Sequence, residues 1–226
     1  MYRGRIGIHF MGMWPVLLLC MVWPQVLGAQ SPAMMWDKRY SAEHYIYGVE
    51  PVEFLKEQIG RLGGGRALCL AAGEGRNAVY LAERGFAVMA VDISARGLEK
   101  ARALANKKAV KIETVVADLD EYDMGREQYD LVTDFYYHDP KLFPRVMAAL
   151  KPGGFFILQN FSVDQPKIGA FGPKNPSYLV GPNELLRHFS DHRIRLYEDV
   201  IVELDAGMHK GAGAVVRLLV EKTRAQ

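Results

Sequence analysis

Residues 67–82, Ala-Leu-Cys-Leu-Ala-Ala-Gly-Glu-Gly-Arg-Asn-Ala-Val-Tyr-Leu-Ala, decide the fold of this chain. An apolar run ends in Gly73-Glu74-Gly75 and passes directly into a helix-like stretch. Nineteen residues after Gly73, a second apolar run, Phe86 to Val91, ends in Asp92. That is a strand, a tight glycine turn, a helix, and a second strand tipped with a carboxylate. Glycine lets the backbone approach a ligand where a side chain would block it, and a carboxylate about twenty residues further on is placed to accept hydrogen bonds from a ribose. The stretch points to an adenosine-containing cofactor. Taken alone, Gly73-x-Gly75-x-x-Ala78 also fits the dinucleotide fingerprint.

The rest of the chain separates the two. Leu68-Cys69-Leu70-Ala71-Ala72-Gly73-Glu74-Gly75 resembles the first motif of the class I S-adenosylmethionine (SAM) methyltransferases, and Val91-Asp92-Ile93-Ser94 resembles their second, with Ser94 as helix N-cap. Val116-Ala117-Asp118-Leu119, Tyr129-Asp130-Leu131-Val132-Thr133-Asp134 and Leu150-Lys151-Pro152-Gly153-Gly154 resemble the third motif, the fourth strand and the turn before the fifth. The resemblance implies SAM as cofactor, held by Gly73, Glu74, Gly75, Asn77, Asp92, Ile93, Asp118 and Leu119, with Asp118 beside the adenine. Two positions depart from the family pattern: Cys69 stands where an acidic residue is usual and Ala71 where glycine is usual. Ala71 is tolerable only if the backbone there does not need positive φ.

Trp36-Asp37-Lys38-Arg39-Tyr40-Ser41-Ala42-Glu43-His44-Tyr45-Ile46-Tyr47-Gly48 resembles the leading segment of small bacterial enzymes related to the tellurite-resistance and thiopurine methyltransferases. The resemblance implies a lid over the cofactor, with Tyr40, Tyr45 and Tyr47 walling the substrate pocket and Arg39 on the SAM carboxylate. The alternative is that Trp36 and Tyr40 anchor the segment on the outside of the sheet.

With 226 residues the chain can bury one substantial core. Its net charge of +2 comes from Arg3 and Arg5, so no basic stripe remains to track phosphates and nucleic acid is not the expected partner. Six scattered histidines and two cysteines, Cys20 and Cys69, form no zinc-like spacing, so no metal is expected. The expected partner is a small-molecule substrate; the oligomeric state is open.

Residues 1–31 read as a signal peptide: a basic start, an apolar run from Phe10 to about Val22, and small residues at Val26-Leu27-Gly28-Ala29. Export conflicts with a cofactor made and kept in the cytoplasm. A start at Met34 or Met35 resolves the conflict and gives a cytoplasmic enzyme; a retained membrane anchor or genuine export are the alternatives. The expected division is a signal-like or foreign segment over residues 1–34 and a methyltransferase domain over residues 35–226.

Periodicity predicts a helix opening at Pro51 and ending near Gly60, strands at 66–70, 86–91, 110–116, 129–135 and 154–160, and helices at 76–84, 95–106, 140–150 and 182–190. Ile194–Leu204 and Ala212–Lys222 alternate as a closing hairpin around Asp205 to Gly211. The expected class is α/β: a doubly wound, mostly parallel seven-stranded sheet with a C-terminal antiparallel hairpin and ligands at its strand ends. The polar, proline-bearing segment from Phe161 to Pro182 reads as an active-site loop.

A sulfonium methyl is already electrophilic, so catalysis is mostly alignment and exclusion of water. A thiol or chalcogen acceptor needs no strong base, whereas a hydroxyl acceptor profits from one. The candidates lie after the fourth strand in Asp134-Phe135-Tyr136-Tyr137-His138-Asp139: Asp134 beside the methyl, Tyr137 orienting substrate, His138 taking a proton. Capping of the next helix by His138 or Asp139 is the plainer reading. The first expectation is methyl transfer to a small thiol or chalcogen acceptor; a hydroxyl or carboxyl acceptor follows. A nicotinamide-type oxidoreductase and a non-catalytic SAM-fold binding module are the rivals.

Overall fold

The computed structural model describes residues 1–2 and 31–223; the signal-like stretch and Cys20 lie outside the described residues. The apolar runs of the sequence become one seven-stranded sheet. Its strands are β1 (Arg66–Leu70), β2 (Ala87–Asp92), β3 (Glu113–Val116), β4 (Tyr129–Phe135), β5 (Leu150–Phe161), β6 (Arg193–Ala206) and β7 (His209–Glu221). Their order is β3-β2-β1-β4-β5-β7-β6. The first five are parallel and the last two join antiparallel, which is the expected class. The order reverses between β1 and β4, and open sheets of this kind bind ligands outside the strand ends at such a switch.

The helices are α1 (Pro32–Tyr40), α2 (Glu53–Gln58), α3 (Arg76–Glu83), α4 (Ala95–Lys107), α5 (Phe143–Ala149), α6 (Gln165–Ile168) and α7 (Glu184–His188). Two cores sandwich the sheet. Phe54, Leu55, Leu81 and Leu98 pack on one face, and Phe143, Val146, Leu185 and Phe189 on the other. In α4 the apolar spacing Leu98, Ala101, Leu104, Ala105 puts those four inside. Among the described residues no helix is long and apolar enough to cross a membrane.

The differences from the sequence reading have local causes. Ala109 takes positive φ (56°) after α4, and the Val110 amide bonds back to the Ala105 carbonyl at 3.0 Å. That left-handed helix ending consumes Val110, so β3 starts at Glu113. The helix expected at 140–150 splits into a 3-10 turn, Pro140–Leu142, and α5, and Leu150 already pairs with Tyr129. Helix α1 starts at Pro32, capped by Ser31. The closing hairpin is longer and its loop shorter than expected. Ala206 pairs with His209 around Gly207-Met208, and Gly207 supplies the positive φ (54°) that a two-residue hairpin loop needs.

Candidate functional site

The glycine turn sits at the carboxyl end of β1, with Gly73 at φ 52° and Gly75 at φ 85°. A methyl group on Gly75 would lie 2.4 Å from the Ala101 Cβ, and one on Gly73 would lie 2.7 Å from the Tyr40 hydroxyl. Both glycines are therefore demanded by close protein neighbours as well as by backbone geometry. Ala71, just before them, has φ 45°, so the condition under which alanine is harmless there is not met. A left-handed residue with a Cβ costs about 1–2 kcal/mol. Cys69 is buried against Thr133, and burial pushes its thiol up to about 12, so it replaces the usual acid with an uncharged group.

Asp92 ends β2 with its carboxylate buried. Its Oδ2 accepts from the Gly73 amide at 2.7 Å and its Oδ1 from the Ser94 amide at 2.8 Å. Burial pushes its pKa up, against the pull of these two amides. One carboxylate thus ties the glycine turn to the start of α4. Ile93 is half-buried beside it. Ser94 caps α4 as expected, accepting from the Gly97 amide at 3.0 Å and donating to Asp37 at 2.6 Å. Asp118 is exposed beyond β3 and accepts from the Asp120 amide at 3.0 Å, while Leu119 is buried in the core.

The aromatic entry segment is neither loose nor on the outside of the sheet. Helix α1 packs on α4, and the Tyr40 ring lies over Gly73 and Gly97. Beyond it, the Lys100 ammonium donates to the carbonyls of Ala42 (2.8 Å) and His44 (2.6 Å) and to Glu74 Oε1 (2.6 Å). Glu74 Oε2 accepts from the Tyr47 amide at 3.2 Å. Arg39 donates to the Tyr47 hydroxyl at 2.9 Å and lies over the Trp36 ring. Asn77 accepts from the Val52 amide at 2.9 Å, fixing the approach to α2. The Met208 amide at the hairpin tip donates to the Ile46 carbonyl at 3.0 Å. Residues 41–48 therefore form a strap from the glycine turn to the hairpin.

The strap packs against an aromatic cluster that the sequence did not reveal. Around the His209 ring stand Tyr136 (4.6 Å between ring centres), Tyr47 (5.0 Å), Phe161 (5.2 Å) and Phe171 (5.6 Å). The imidazole is buried and its Nδ1 has no hydrogen-bond partner. Burial, with the nearby guanidiniums of Arg76 and Arg39, pushes its pKa down to about 4, so it is neutral at physiological pH. Tyr136 leaves β4 at φ 66°, a strained conformation for an aromatic residue. Its hydroxyl accepts from Gln159 at 2.7 Å, and Gln159 accepts from Arg217 at 2.9 Å, which holds it in place. Arg76 is 9% exposed, donates to the Tyr47 carbonyl at 2.7 Å and lies 5.8 Å over the Tyr136 ring.

The other candidates after β4 go elsewhere. Asp134 is 2% exposed, and burial pushes its pKa well up. Its Oδ1 has no partner, so it is an orphaned acid group at the end of a central strand. Tyr137 is half-buried, its phenol pushed up by burial and by Asp139, Asp120, Asp134 and Asp118. His138 pairs with Glu184 at 3.1 Å, at the start of α7, and burial lowers its pKa. Asp139 caps the 3-10 turn through the Lys141 amide. The loop of residues 161–182 brings Phe171 onto the His209 ring. Gln165 pins it, donating to the Phe171 carbonyl (3.0 Å) and accepting from the Ala214 amide (2.7 Å). Among the described residues no group of three or more His, Cys, Asp or Glu is placed to hold a metal ion.

The structure thus brings Gly73, Glu74, Gly75, Asp92 and Arg39 together, with Arg76 from the same turn, and adds His209, Phe161 and Phe171. Residues 67–154 match the family described as "Methyltransferase domain". A ubiquinone biosynthesis O-methyltransferase of Bordetella avium (strain 197N) is 28% identical over 184 residues, which span 78% of this chain and 76% of the relative. TehB from Haemophilus influenzae shares the fold at 17% identity and a TM-score of 0.63, over 84% of this chain and 67% of that one. So does a geranyl diphosphate C-methyltransferase from Streptomyces coelicolor A3(2), solved with S-adenosyl-L-homocysteine, at 15% identity and a TM-score of 0.62, over 84% and 96%.

Proposed function

This chain belongs to the class I SAM-dependent methyltransferases, and from that premise we propose that it methylates a hydroxyl of a small planar acceptor held in the His209 chamber. The observation that carries the reading is the buried, unpartnered Nδ1 of a neutral imidazole inside an aromatic cage. SAM, when bound, supplies an electrophilic methyl group on a sulfonium.

In this reading the cofactor would lie along the Gly73–Gly75 turn, with Asp92 and Ile93 at its ribose end and Asp118 at the adenine. Asp134 fits as well: its orphaned oxygen lies at the end of β4, where a cationic or N–H group of a ligand would satisfy it. Tyr136 and Phe161 orient the acceptor ring by stacking. His209 Nδ1 would accept the proton of the acceptor's hydroxyl. Lys100 and Glu74 hold the strap that keeps water out. His138 acts through Glu184 to set the β4–α7 junction and is a positioning residue. Relatives named as O-methyltransferases support a hydroxyl acceptor.

A second reading rests on one observation. An imidazole pushed down to about 4 is a weak base, which suits an acceptor that ionises by itself, such as a thiol. Methyl transfer from labelled SAM to phenol, catechol and thiol panels, with the wild type and His209→Gln, separates the two. Loss of turnover of about a hundredfold on hydroxyl acceptors supports the first reading. Turnover on thiols alone, unaffected by the substitution, selects the second.

A further inference from the structure

The two edges of the sheet differ in a way that methyl transfer does not explain. β3 closes one edge with four residues, Glu113–Val116, whereas β6 closes the other with 14, Arg193–Ala206. An edge strand carries a row of unpaired N–H and C=O groups, and proteins ordinarily keep such strands short or blunt them with proline, bulges or a covering segment. β6 contains no proline, and its register slips only between Ile194 and Leu196, so Leu196–Ala206 is a regular strand. Among the described residues its backbone bonds to β7 alone. Ile201, near its middle, is 62% exposed.

The charges along β6 say what covers it. Arg193 and Arg195 stand at its start, Glu203 and Asp205 at its end, and all four are exposed. Arg195 also holds Glu221, and Asp205 lies 3.5 Å from Lys210. In an antiparallel pair of identical strands each start lies against the other's end, so this gradient is complementary to itself. The like charges fix the register. A two-fold axis through Glu198 or Asp199 sets that carboxylate against its own copy, and one through Ile201 sets Asp199 against Glu203. An axis through Val200 opposes no like charges: Arg195 meets Asp205, Leu196 meets Leu204, and Asp199 meets Ile201. We infer that the β6 edge is the docking surface for a second copy of this chain, paired antiparallel about Val200 so that the two sheets run on as one.

The test is sedimentation velocity on the full chain over a concentration series up to about 100 μM. The wild type should sediment as a dimer that dissociates on dilution. Ile201→Asp sets a carboxylate against Asp199 and should weaken the dimer at least about tenfold. Asp205→Arg sets a cation against Arg195, and Arg195→Glu sets a carboxylate against Asp205. Each should weaken self-association likewise, and an equimolar mixture of the two should restore it, because each then meets its opposite charge. Arg195→Glu also gives up the Glu221 pair, so circular dichroism checks its fold; Ile201→Asp breaks no ion pair and carries the test if that variant unfolds. A wild type that stays monomeric throughout overturns the inference. Association that none of the substitutions weakens also overturns it and places the contact on another surface. A mixture of folded charge variants that associates no better than either alone overturns the Val200 pairing.

Discussion

In the reading proposed above, the cofactor half and the acceptor half of the site are built on different principles. In the first, at the ends of β1 and β2, the elements are backbone and one carboxylate, drawn from residues 71–94, and Asp92 bonds both the glycine turn and the start of α4. In that reading the acceptor half is assembled from residues 47, 76, 136, 161, 171 and 209, carried by separate stretches of chain. A backbone cradle serves any substrate that shares the cofactor, so it survives as a short readable motif. A side-chain chamber is specific to one acceptor and leaves no local pattern. The two halves meet at Arg76 and Tyr136, one following the glycine turn and the other following β4.

If this division is right, mutations should sort by half. His209→Gln should cost about 10²–10⁴ in turnover on a hydroxyl acceptor while S-adenosylhomocysteine binds unchanged; steady-state rates beside calorimetry check it. A comparable loss of cofactor affinity would merge the halves. Asp92→Ala should weaken S-adenosylhomocysteine binding by about 1.5–3 kcal/mol. It should also destabilise the fold, because the buried amides of Gly73 and Ser94 both lose a charged acceptor. Denaturant titration alongside binding tells the two losses apart.

Acid should reveal the acceptor half through the difference between the wild type and His209→Gln. The His209 pKa is about 4 in the folded protein and that of an ordinary histidine, about 6.5, when unfolded. Between those values the unfolded chain binds more protons, so this contribution is complete above about pH 6.5 and falls away as pH drops. By pH 5 the wild type should have lost about 2 kcal/mol relative to its value at pH 7, and His209→Gln should not show this loss. Asp134, whose folded pKa is raised, gives the opposite slope in both proteins, so the difference between them isolates the imidazole. Identical pH profiles would place His209 in a wetter setting than the cage described.

The smallest effect concerns Ala71. Replacing it by glycine relieves a left-handed Cβ but frees the unfolded chain, for a net gain of about 0.5–1 kcal/mol. A loss of stability would mean that Ala71 packs more usefully than its φ of 45° suggests.

Much of this fold was legible because its signals are local. The β1–turn–α3 unit, the Ser94 cap and the closing hairpin follow from apolar periodicity and turn residues within a few positions. Where the reading slipped, short-range competition decided it: Ala109 ended α4 in a left-handed turn and shortened β3, and Gly207 tightened the hairpin loop. That tightening put His209 at the first position of β7, and nothing in a lone histidine after Gly207-Met208 announces the four rings that surround it. His138 was the more conspicuous histidine, directly after β4, yet it serves Glu184. Proximity to a motif in sequence was a poor guide to which imidazole faces the chamber.

The most direct test of the two-half account is the affinity of the full chain for S-adenosylhomocysteine, measured side by side for the wild type, Asp92→Ala and His209→Gln. The account predicts that the wild type and His209→Gln bind equally and that Asp92→Ala binds at least about tenfold more weakly. Equal binding by all three proteins, or weakening by His209→Gln as large as that by Asp92→Ala, would contradict it.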